Sequence, residues 1–166
     1  MKKTILAVVS MMAANSGYSQ ICNPSITPST TIERYTIVNQ GAEIQDKKTG
    51  LHWQRCSLGQ TWSVNTCTGE AGTYTWQEGL DLAKKTASNW RVPTIEELKT
   101  LQEVACYGAA INETIFPATP LNNETWSSSA ESAEYGMMMS FYNGDISSND
   151  KLNPLYLRFV KSIVTP

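Results

Sequence analysis

Four cysteines constrain the fold of this chain more than any other feature of its sequence. They are Cys22, Cys56, Cys67 and Cys106, and all of them follow an N-terminal segment typical of an export signal. An even number of cysteines in an exported protein predicts structural disulfides, for which three pairings are open. Cys56 and Cys67 flank a loop rich in turn-forming residues that a local bridge would close. We therefore expect the pairs Cys56–Cys67 and Cys22–Cys106.

The first 19 residues predict a signal peptide. Two lysines precede an apolar run over 5–14, and small residues at positions 17 and 19 fit cleavage before Gln20. The run is too short for a transmembrane anchor, and no later run reaches membrane length. We expect export to the periplasm, the cell surface or the medium, without membrane insertion after cleavage. The alternative, lipidation of Cys22, lacks the small-residue box that should precede that cysteine.

The charge of the chain argues against nucleic acid as a partner. There are 13 Lys and Arg against 15 Asp and Glu, a formal net charge of −2, and loss of the two signal lysines lowers it to −4. The remaining basic residues are scattered, whereas nucleic-acid binding requires a clustered basic surface.

The mature chain is predicted to contain an extended leader and one domain. Residues 20–33 are rich in Pro, Ser and Thr and form the leader, and 34–166 is long enough for one domain with one core. Strands are predicted over 34–38, 42–46 and 51–55. In the last of these, Leu51, Trp53 and Arg55 share one face, and Gly50 takes a positive φ in the preceding turn.

Two capping boxes predict two helices after these strands. Thr75 with Glu78, and Thr94 with Glu97, place a hydroxyl at the N-cap and a carboxylate three residues later. The second helix has inward spacing at Ile95, Leu98, Leu101 and Val104 or Ala105. Further strands are predicted from Trp126, over 137–142, 145–148 and 156–160, with Asn143-Gly144 as a hairpin turn. This order of elements predicts an α+β fold.

Several sequence blocks occur in the order and spacing of one family. They are 46–53 (DKKTGLHW), 76–79 (WQEG), 90–98 (WRVPTIEEL), 110–112 (AIN), 126–129 (WSSS) and 157–160 (LRFV). Together they resemble the Lcl C-terminal domain (DUF1566) of bacterial secreted and surface proteins, over about residues 34–160. The resemblance implies a C-type-lectin-like or formylglycine-generating-enzyme-like architecture. This chain has Gly79, Val92 and Leu157 where the family usually has Ala, Leu and Val.

The motif residues are predicted to be structural. Trp53, Trp76, Trp90 and Trp126 lie at family positions and are expected in the core. Trp90 should pack under the second helix, and Arg91 should pair with Glu96 or Glu97.

No catalytic residue and no metal ligand is predicted. His52 is the only histidine, and the chain has no C-x-x-C pair and no G-x-S-x-G, Walker or Rossmann pattern. The oxygen-rich loop over 143–150 could hold calcium, although Asn-Gly and Asn-Asp also form turns without an ion. No other cofactor is expected.

The remaining candidates favour a binding function. Trp62 lies in the disulfide loop among polar residues and could stack on a sugar, with Tyr142, Asn143 and Asp145 as further ligand-binding candidates. We predict an exported, non-catalytic domain, adhesin-like or envelope-associated, that recognises a glycan or a surface protein. The namesake family domain belongs to an adhesin for sulfated glycosaminoglycans, but an acidic chain suits a neutral glycan or a protein better. The alternatives are a periplasmic hydrolase or oxidase and a structural pilus or envelope subunit.

Overall fold

The computed structural model describes residues 19–86 and 89–162, which form an α+β fold. Two helices, α1 (Trp76–Lys84) and α2 (Ile95–Lys99), lie among the strands of these residues. The strands of the described chain are β1 (Ile21–Cys22), β2 (Tyr35–Val38), β3 (Glu43–Asp46), β4 (Leu51–Gln54), β5 (Thr61–Ser63), β6 (Thr66–Thr68), β7 (Thr73–Tyr74), β8 (Cys106–Tyr107), β9 (Thr125–Ala130), β10 (Tyr135–Met139), β11 (Ile146–Asp150), β12 (Leu155–Tyr156) and β13 (Val160–Ser162). The predicted signal peptide, apart from Ser19, lies outside the described residues. Across the described ranges, no helix has the length and apolar character needed to cross a membrane.

The strands form two sheets and two short ribbons. The four-stranded sheet has the order β13-β4-β3-β2 and is antiparallel. The five-stranded sheet has the order β11-β10-β9-β12-β7, and β12 runs parallel to β9. The ribbons are β1 with β8 and β5 with β6.

One segment, 157–159, carries the chain from the five-stranded to the four-stranded sheet. The sequence predicts a single strand over 156–160, but the structure interrupts it between β12 and β13. The guanidinium of Arg158 turns inward here and donates to the carbonyl oxygens of Gln54 and Arg55. The backbone on both sides of Arg158 stays attached to the same region, since the carbonyls of Leu157 and Phe159 accept from the N–H groups of Leu58 and Gln54.

The core is divided into two clusters by this arrangement. Alternation in β3 and β4 buries Ile44 and Trp53 completely, as the strand pattern predicts. The first cluster joins these residues to α2 and the loop after it, and consists of Tyr35, Ile44, Trp53, Ile95, Leu98, Leu101, Ile111, Ile115, Phe116, Met139, Phe141 and Val160. The second lies beside α1 and consists of Ala83, Val92, Trp126, Met138, Leu155, Leu157 and Phe159.

Both predicted capping boxes form, but α2 is shorter than its apolar spacing suggests. Thr94 accepts from the Glu97 N–H, and the Glu97 carboxylate accepts from the Thr94 N–H at 2.8 Å. The helix then ends at Lys99. Beyond it the Glu103 N–H donates to the Ala110 carbonyl instead of continuing the helix. Leu101 and Ala105 are still buried, whereas Val104 is 53% exposed.

Both predicted disulfides are present. Cys56 pairs with Cys67, and Cys22 pairs with Cys106. The prediction of a disulfide-stabilised α+β fold is therefore confirmed.

The leader is less extended than predicted, since it forms a strand only at Ile21–Cys22, turns between Asn23 and Ile26, and enters a 3-10 helix at Ile32–Arg34. It also packs against the domain: Thr30 is fully buried and donates its hydroxyl to Glu103 at 2.7 Å.

Candidate functional site

A cleft beside Trp62 combines an aromatic ring with polar groups. We name it the Trp62 cleft; it has a volume of about 320 Å³ and is lined by parts of 39–43, by Gln54 and by 56–62. These segments come from the turn before β3, the end of β4 and the loop into β5. The Cys56–Cys67 disulfide closes that loop, with Cys56 in the cleft wall. The β5–β6 ribbon, which contains Trp62, and the Cys56–Cys67 crosslink together hold Trp62 at the rim of the cleft.

The ring of Trp62 is fixed by two neighbours. The guanidinium carbon of Arg55 lies 3.9 Å from the ring centroid, a cation–π contact that covers one face. The ring edge lies against Gly41, where a Cβ would sit 2.7 Å from the indole Nε1. Gly41 also has a φ of +94°, so both space and backbone conformation require glycine there. Trp62 remains partly exposed.

Arg55 is itself held by backbone oxygens. It is 5% exposed and donates to the carbonyls of Gly41, Thr114 and Ile115 at 2.6–3.1 Å. Burial lowers the pKa of Arg55. Three peptide dipoles therefore solvate the cation behind Trp62, and they link the cleft to the loop that carries residues 114 and 115.

A second buried guanidinium, that of Arg158, supports the loop from the other side. It donates to the hydroxyls of Ser57 and Thr119 as well as to the carbonyls described above, and Ser57 lines the cleft. Burial, together with the neighbouring charge of Arg55, lowers the pKa of Arg158. Within the ranges 19–86 and 89–162, no carboxylate forms an ion pair with either arginine.

The polar rim of the cleft contains a carboxylate and amides. Glu43 accepts from Asn39 Nδ2 at 2.7 Å and from Lys161 Nζ at 2.8 Å. The Gln60 side chain accepts from the Ser57 N–H and donates to the Ala118 carbonyl, both at 3.1 Å. The rim thus offers fixed hydrogen-bonding groups of mixed type beside an aromatic ring, an arrangement that suits a polar ligand with an apolar face.

The predicted residues Tyr142, Asn143 and Asp145 lie elsewhere. They are exposed in the turn between β10 and β11, beside a different cavity of about 360 Å³ lined by 121–124, Ser140 and Tyr142. This cavity shares no lining residue with the Trp62 cleft. The structure therefore does not bring Trp62 together with the other three candidates.

The oxygen-rich loop uses its side chains in turns. Asn143 donates its amide to Asp145 and accepts from the Asp145 N–H. Further along, Asn149 and Asp150 accept from backbone N–H groups at the β11 end. Among the residues that the structure describes, no group of three or more His, Cys, Asp and Glu side chains could hold a metal ion.

His52 is partly buried on the face of β4 opposite Trp53. Burial and the nearby Lys161 lower its pKa, against an opposing effect of Glu43. Its Nε2 is buried and makes no hydrogen bond. The imidazole is therefore neutral at neutral pH.

The sequence profile of the Lcl C-terminal domain matches residues 42–161. The chain belongs to this family. The resemblance drawn from the sequence blocks is thus confirmed, and the family covers most of the described residues. No curated protein matches the chain.

The four motif tryptophans of this Lcl domain are either fully or partly buried. Trp53 and Trp126 are fully buried, and Trp126 donates its indole N–H to the Tyr74 carbonyl at 3.0 Å. Trp76 is partly buried and donates to the Ser127 carbonyl at 2.8 Å. Trp90 packs at the edge of the second cluster, beside α1 rather than under α2. The buried residues of α2, Ile95 and Leu98, belong to the first cluster instead, so the two clusters separate Trp90 from the α2 residues under which it was expected to pack.

Arg91 of the Lcl domain pairs with Glu97, one of its two predicted partners. The guanidinium donates two hydrogen bonds of 2.6 Å to the carboxylate. These hydrogen bonds to Glu97 raise the pKa of Arg91. The pair connects β13 with the start of α2, so it positions elements of the scaffold.

Sequence reasoning found Trp62 but missed the residues that form its cleft. The strand pattern predicts only the face of the strand on which Arg55 lies. The turn residues did carry a local signal, since glycine after Asn39-Gln40 indicates a positive φ. Arg55 directly precedes the disulfide loop and Trp62 lies within it, and no local pattern in the sequence encodes the contact between them.

Proposed function

We propose that this Lcl domain is an exported, non-catalytic binding domain that recognises a neutral glycan in the Trp62 cleft. The observation that carries the proposal is the fixed tryptophan ring at the rim, covered on one face by Arg55 and bordered by polar groups. A pyranose presents apolar C–H groups on one face and hydroxyls around its edge. Stacking on Trp62 would bury the C–H face of the sugar, and the polar groups of the rim would bind its hydroxyls.

The charge around the cleft favours a neutral sugar. Glu43 lies in the lining and is paired with Lys161 at 2.8 Å, so this ion pair offers no net positive charge to a sulfate or carboxylate. The two arginines behind the cleft donate to backbone and side-chain oxygens of the protein, which leaves little capacity for an anion. A sulfated glycan, which the family resemblance implies, is therefore a poorer match than an uncharged one.

The pKa shifts of the described carboxyl groups support a binding function rather than glycoside hydrolysis. The carboxyl groups whose pKa departs from its ordinary value all have it lowered: Glu33, Asp46, Glu78, Asp81, Glu97 and Glu103. A general acid for glycoside cleavage requires a raised pKa. The partners of these carboxylates are structural: capping groups, arginines, residues of the leader and, for Asp81, the side chains of Gln77 and Lys84.

Export and architecture are part of the same proposal. Two disulfides form and persist in an oxidising compartment, which supports the periplasm, the cell surface or the medium. We assign the fold to the C-type-lectin-like architecture on its order of elements, strands followed by two helices and then strands of a second sheet. An adhesin-like or envelope-associated role is consistent with export and with this architecture.

The test is a glycan array on the oxidised protein without residues 1–19. Binding of the native protein should be saturable, and Trp62→Ala should weaken it by at least about tenfold, the loss of about 1.4 kcal/mol of stacking. Trp62→Phe keeps an aromatic ring and should retain part of the affinity. The matched control is Trp90→Ala, because Trp90 is also partly buried under a cation, with Lys161 Nζ 4.2 Å from its ring. It should bind as the native protein does.

Two outcomes would contradict the proposal. Absence of any saturable hit for the native protein would move the function to a protein partner. A hit that survives Trp62→Ala but is lost in Tyr142→Ala with Asp145→Asn would move the site to the turn between β10 and β11. Thermal melting of each variant separates loss of binding from loss of fold.

A further inference from the structure

We infer that the Cys22–Cys106 disulfide is a thiol–disulfide exchange site whose reduction by a dithiol releases residues 20–28 from the domain. The two disulfides differ in their access to solvent. Cys56 and Cys67 are 8% and 6% exposed, and Cys56 lies in the wall of the Trp62 cleft. Cys22 is exposed and Cys106 is half-buried. Exchange requires a thiolate to reach a sulfur, so the Cys22–Cys106 bond is the one open to attack.

The position of this bond in the fold makes it separable from the core. It joins directly opposed residues of the β1–β8 ribbon, and each strand has two residues. The ribbon belongs to neither of the two sheets. Its other residues, Ile21 and Tyr107, are 48% and 56% exposed. A short exposed ribbon of this kind opens locally at low cost once its crosslink is gone.

Few other contacts hold the leader before residue 29. The Gln20 side chain donates to the carbonyls of Ala109 and Ile111 at 2.7 and 2.9 Å, and the Asn23 N–H donates to Ala105 at 2.8 Å. The two Gln20 bonds are partly buried, since Ala109 and Ile111 are fully buried, and they break only when the segment leaves. A few such hydrogen bonds are weaker than a covalent link. The crosslink is therefore the main attachment of this segment.

The next two residues are anchored in a different way. The buried Glu103 carboxylate accepts from the N–H groups of Ser29 and Thr30 and from the Thr30 hydroxyl at 2.7–3.0 Å. Asn112 Nδ2 also donates to the Thr30 carbonyl, at 2.5 Å. Reduction leaves these bonds intact. The structure thus sets the limit of the released segment at Ser29.

Release would remodel a groove between the leader and the domain. This groove has a volume of about 610 Å³ and is lined on the leader side by Pro24, Ile26 and Pro28. Ala105 and Asn112 line the opposite wall. When residues 20–28 leave, the leader wall is lost and the opposite wall, which is mostly polar with Ala105 as its aliphatic residue, meets solvent. The exchange site would therefore control access to this face of the domain.

The reaction is an ordinary two-step exchange with a dithiol of the C-x-x-C class. One thiolate of the partner attacks the Cys22 sulfur, forms a mixed disulfide and expels Cys106 as a thiolate, which takes up a proton. The second partner thiol then attacks the mixed disulfide and releases Cys22 as a thiol. The partner is oxidised to a disulfide, and Cys22 and Cys106 are each reduced to a thiol.

The experiment titrates the oxidised protein without residues 1–19 with dithiothreitol, followed by alkylation and peptide mass mapping. Cys22 and Cys106 should be alkylated at a reductant concentration at least about tenfold below that needed for Cys56 and Cys67. Hydrogen exchange on the partly reduced protein should then increase over 20–28, while the Thr30 amide remains protected. A Cys22→Ser, Cys106→Ser variant should show the same exchange without reductant.

Three results would overturn the inference. One is alkylation of all four cysteines in a single step, and another is opening of Cys56–Cys67 first. The third is unchanged hydrogen exchange over 20–28 in the reduced protein or in the double variant. Glycan binding tests a separate proposal, because selective reduction leaves the disulfide in the Trp62 cleft intact.

Discussion

Glu97 shows how one side chain can serve two elements. Its carboxylate accepts from the Thr94 N–H and closes the capping box, and the same group binds the guanidinium of Arg91. Burial acts to raise the pKa of Glu97, but the bonds from Arg91 and Thr94 outweigh it and leave the pKa lowered. Arg91 in turn exchanges two backbone hydrogen bonds of 2.9 Å with Val160. The motif residue therefore fixes the start of α2 against β13.

We expect Arg91→Ala to lower the free energy of unfolding by about 1–2 kcal/mol, since it removes two charge-assisted bonds at a partly exposed site. Arg91→Lys should recover part of this, because an ammonium group cannot match the carboxylate with two parallel bonds. Urea unfolding at neutral pH measures both effects.

The control for this prediction is Lys84→Ala. Lys84 pairs with Asp81 at 2.9 Å, but the two side chains are 72% and 48% exposed, so the change should be close to zero. Unchanged stability of Arg91→Ala together with lost glycan binding would instead place Arg91 in a ligand site.

At the scale of the elements, α1 and the segment 157–159 fit together through a pair of compensating residues. Gly79 lies inside α1, where glycine costs about 1 kcal/mol relative to alanine. A Cβ at this position would lie 2.7 Å from Leu157 Cδ1, and Leu157 is fully buried. The family usually has Ala and Val at these two positions. The larger residue at 157 thus requires the smaller one at 79.

The pair predicts non-additive stability changes. Gly79→Ala alone should destabilise by about 0–2 kcal/mol, which is an overpacking cost of about 1–3 kcal/mol less a gain of about 1 kcal/mol in helix propensity. Leu157→Val alone should also destabilise, by about 0.5–1.5 kcal/mol, because it leaves a small cavity. The double variant should be close to the native protein. A double-mutant cycle from urea unfolding gives the coupling energy between positions 79 and 157. Additive effects of the two changes would show that the contact between these positions does not contribute to stability.

The elements also show which signals in the sequence were sufficient. Both helix starts were predicted because a capping box is local and nearly complete in itself. The end of α2 was not, since the chain leaves the helix to place Glu103 against Ser29 and Thr30, more than seventy residues earlier. Apolar spacing continued past that point, and only the tertiary contact with the leader ends the helix.

For the whole molecule, the cysteines and the family motifs were enough to predict the fold class and both crosslinks. The candidate site was predictable only in part. Trp62 stands out as an aromatic residue in a polar loop, but its cleft also depends on Gly41 and Glu43 from the segment before β3 and on Arg55 after β4. Those contacts follow from how the sheets and the disulfide loop meet, which is a property of the complete fold.

The same long-range contacts predict how the stability of the whole domain depends on pH. Asp46 accepts two bonds from Arg34, at 2.8 and 2.5 Å, and Glu103 holds the leader. Burial acts to raise the pKa of both carboxyls, but their hydrogen-bond donors outweigh it and leave each pKa lowered. A lowered pKa means that the native state favours the ionised group. This stabilisation is complete above the unfolded-state pKa, near 4, and is lost as the pH falls through the native value.

The free energy of unfolding should therefore fall steeply below about pH 4. A shallower decline should begin near pH 6.5, because the lowered pKa of His52 makes protonation favour the unfolded chain.

Glu103→Gln should cost about 2–3 kcal/mol at pH 7, where a buried amide replaces the carboxylate facing Ser29 and Thr30, and should cost much less at pH 3. Its pH profile should consequently be flatter than that of the native protein. Glu113→Gln, at an exposed position, is the control and should keep the native profile. Equal acid slopes for native protein and Glu103→Gln, from urea unfolding at pH 3 to 8, would show that the buried carboxylate does not couple the leader to the stability of the domain.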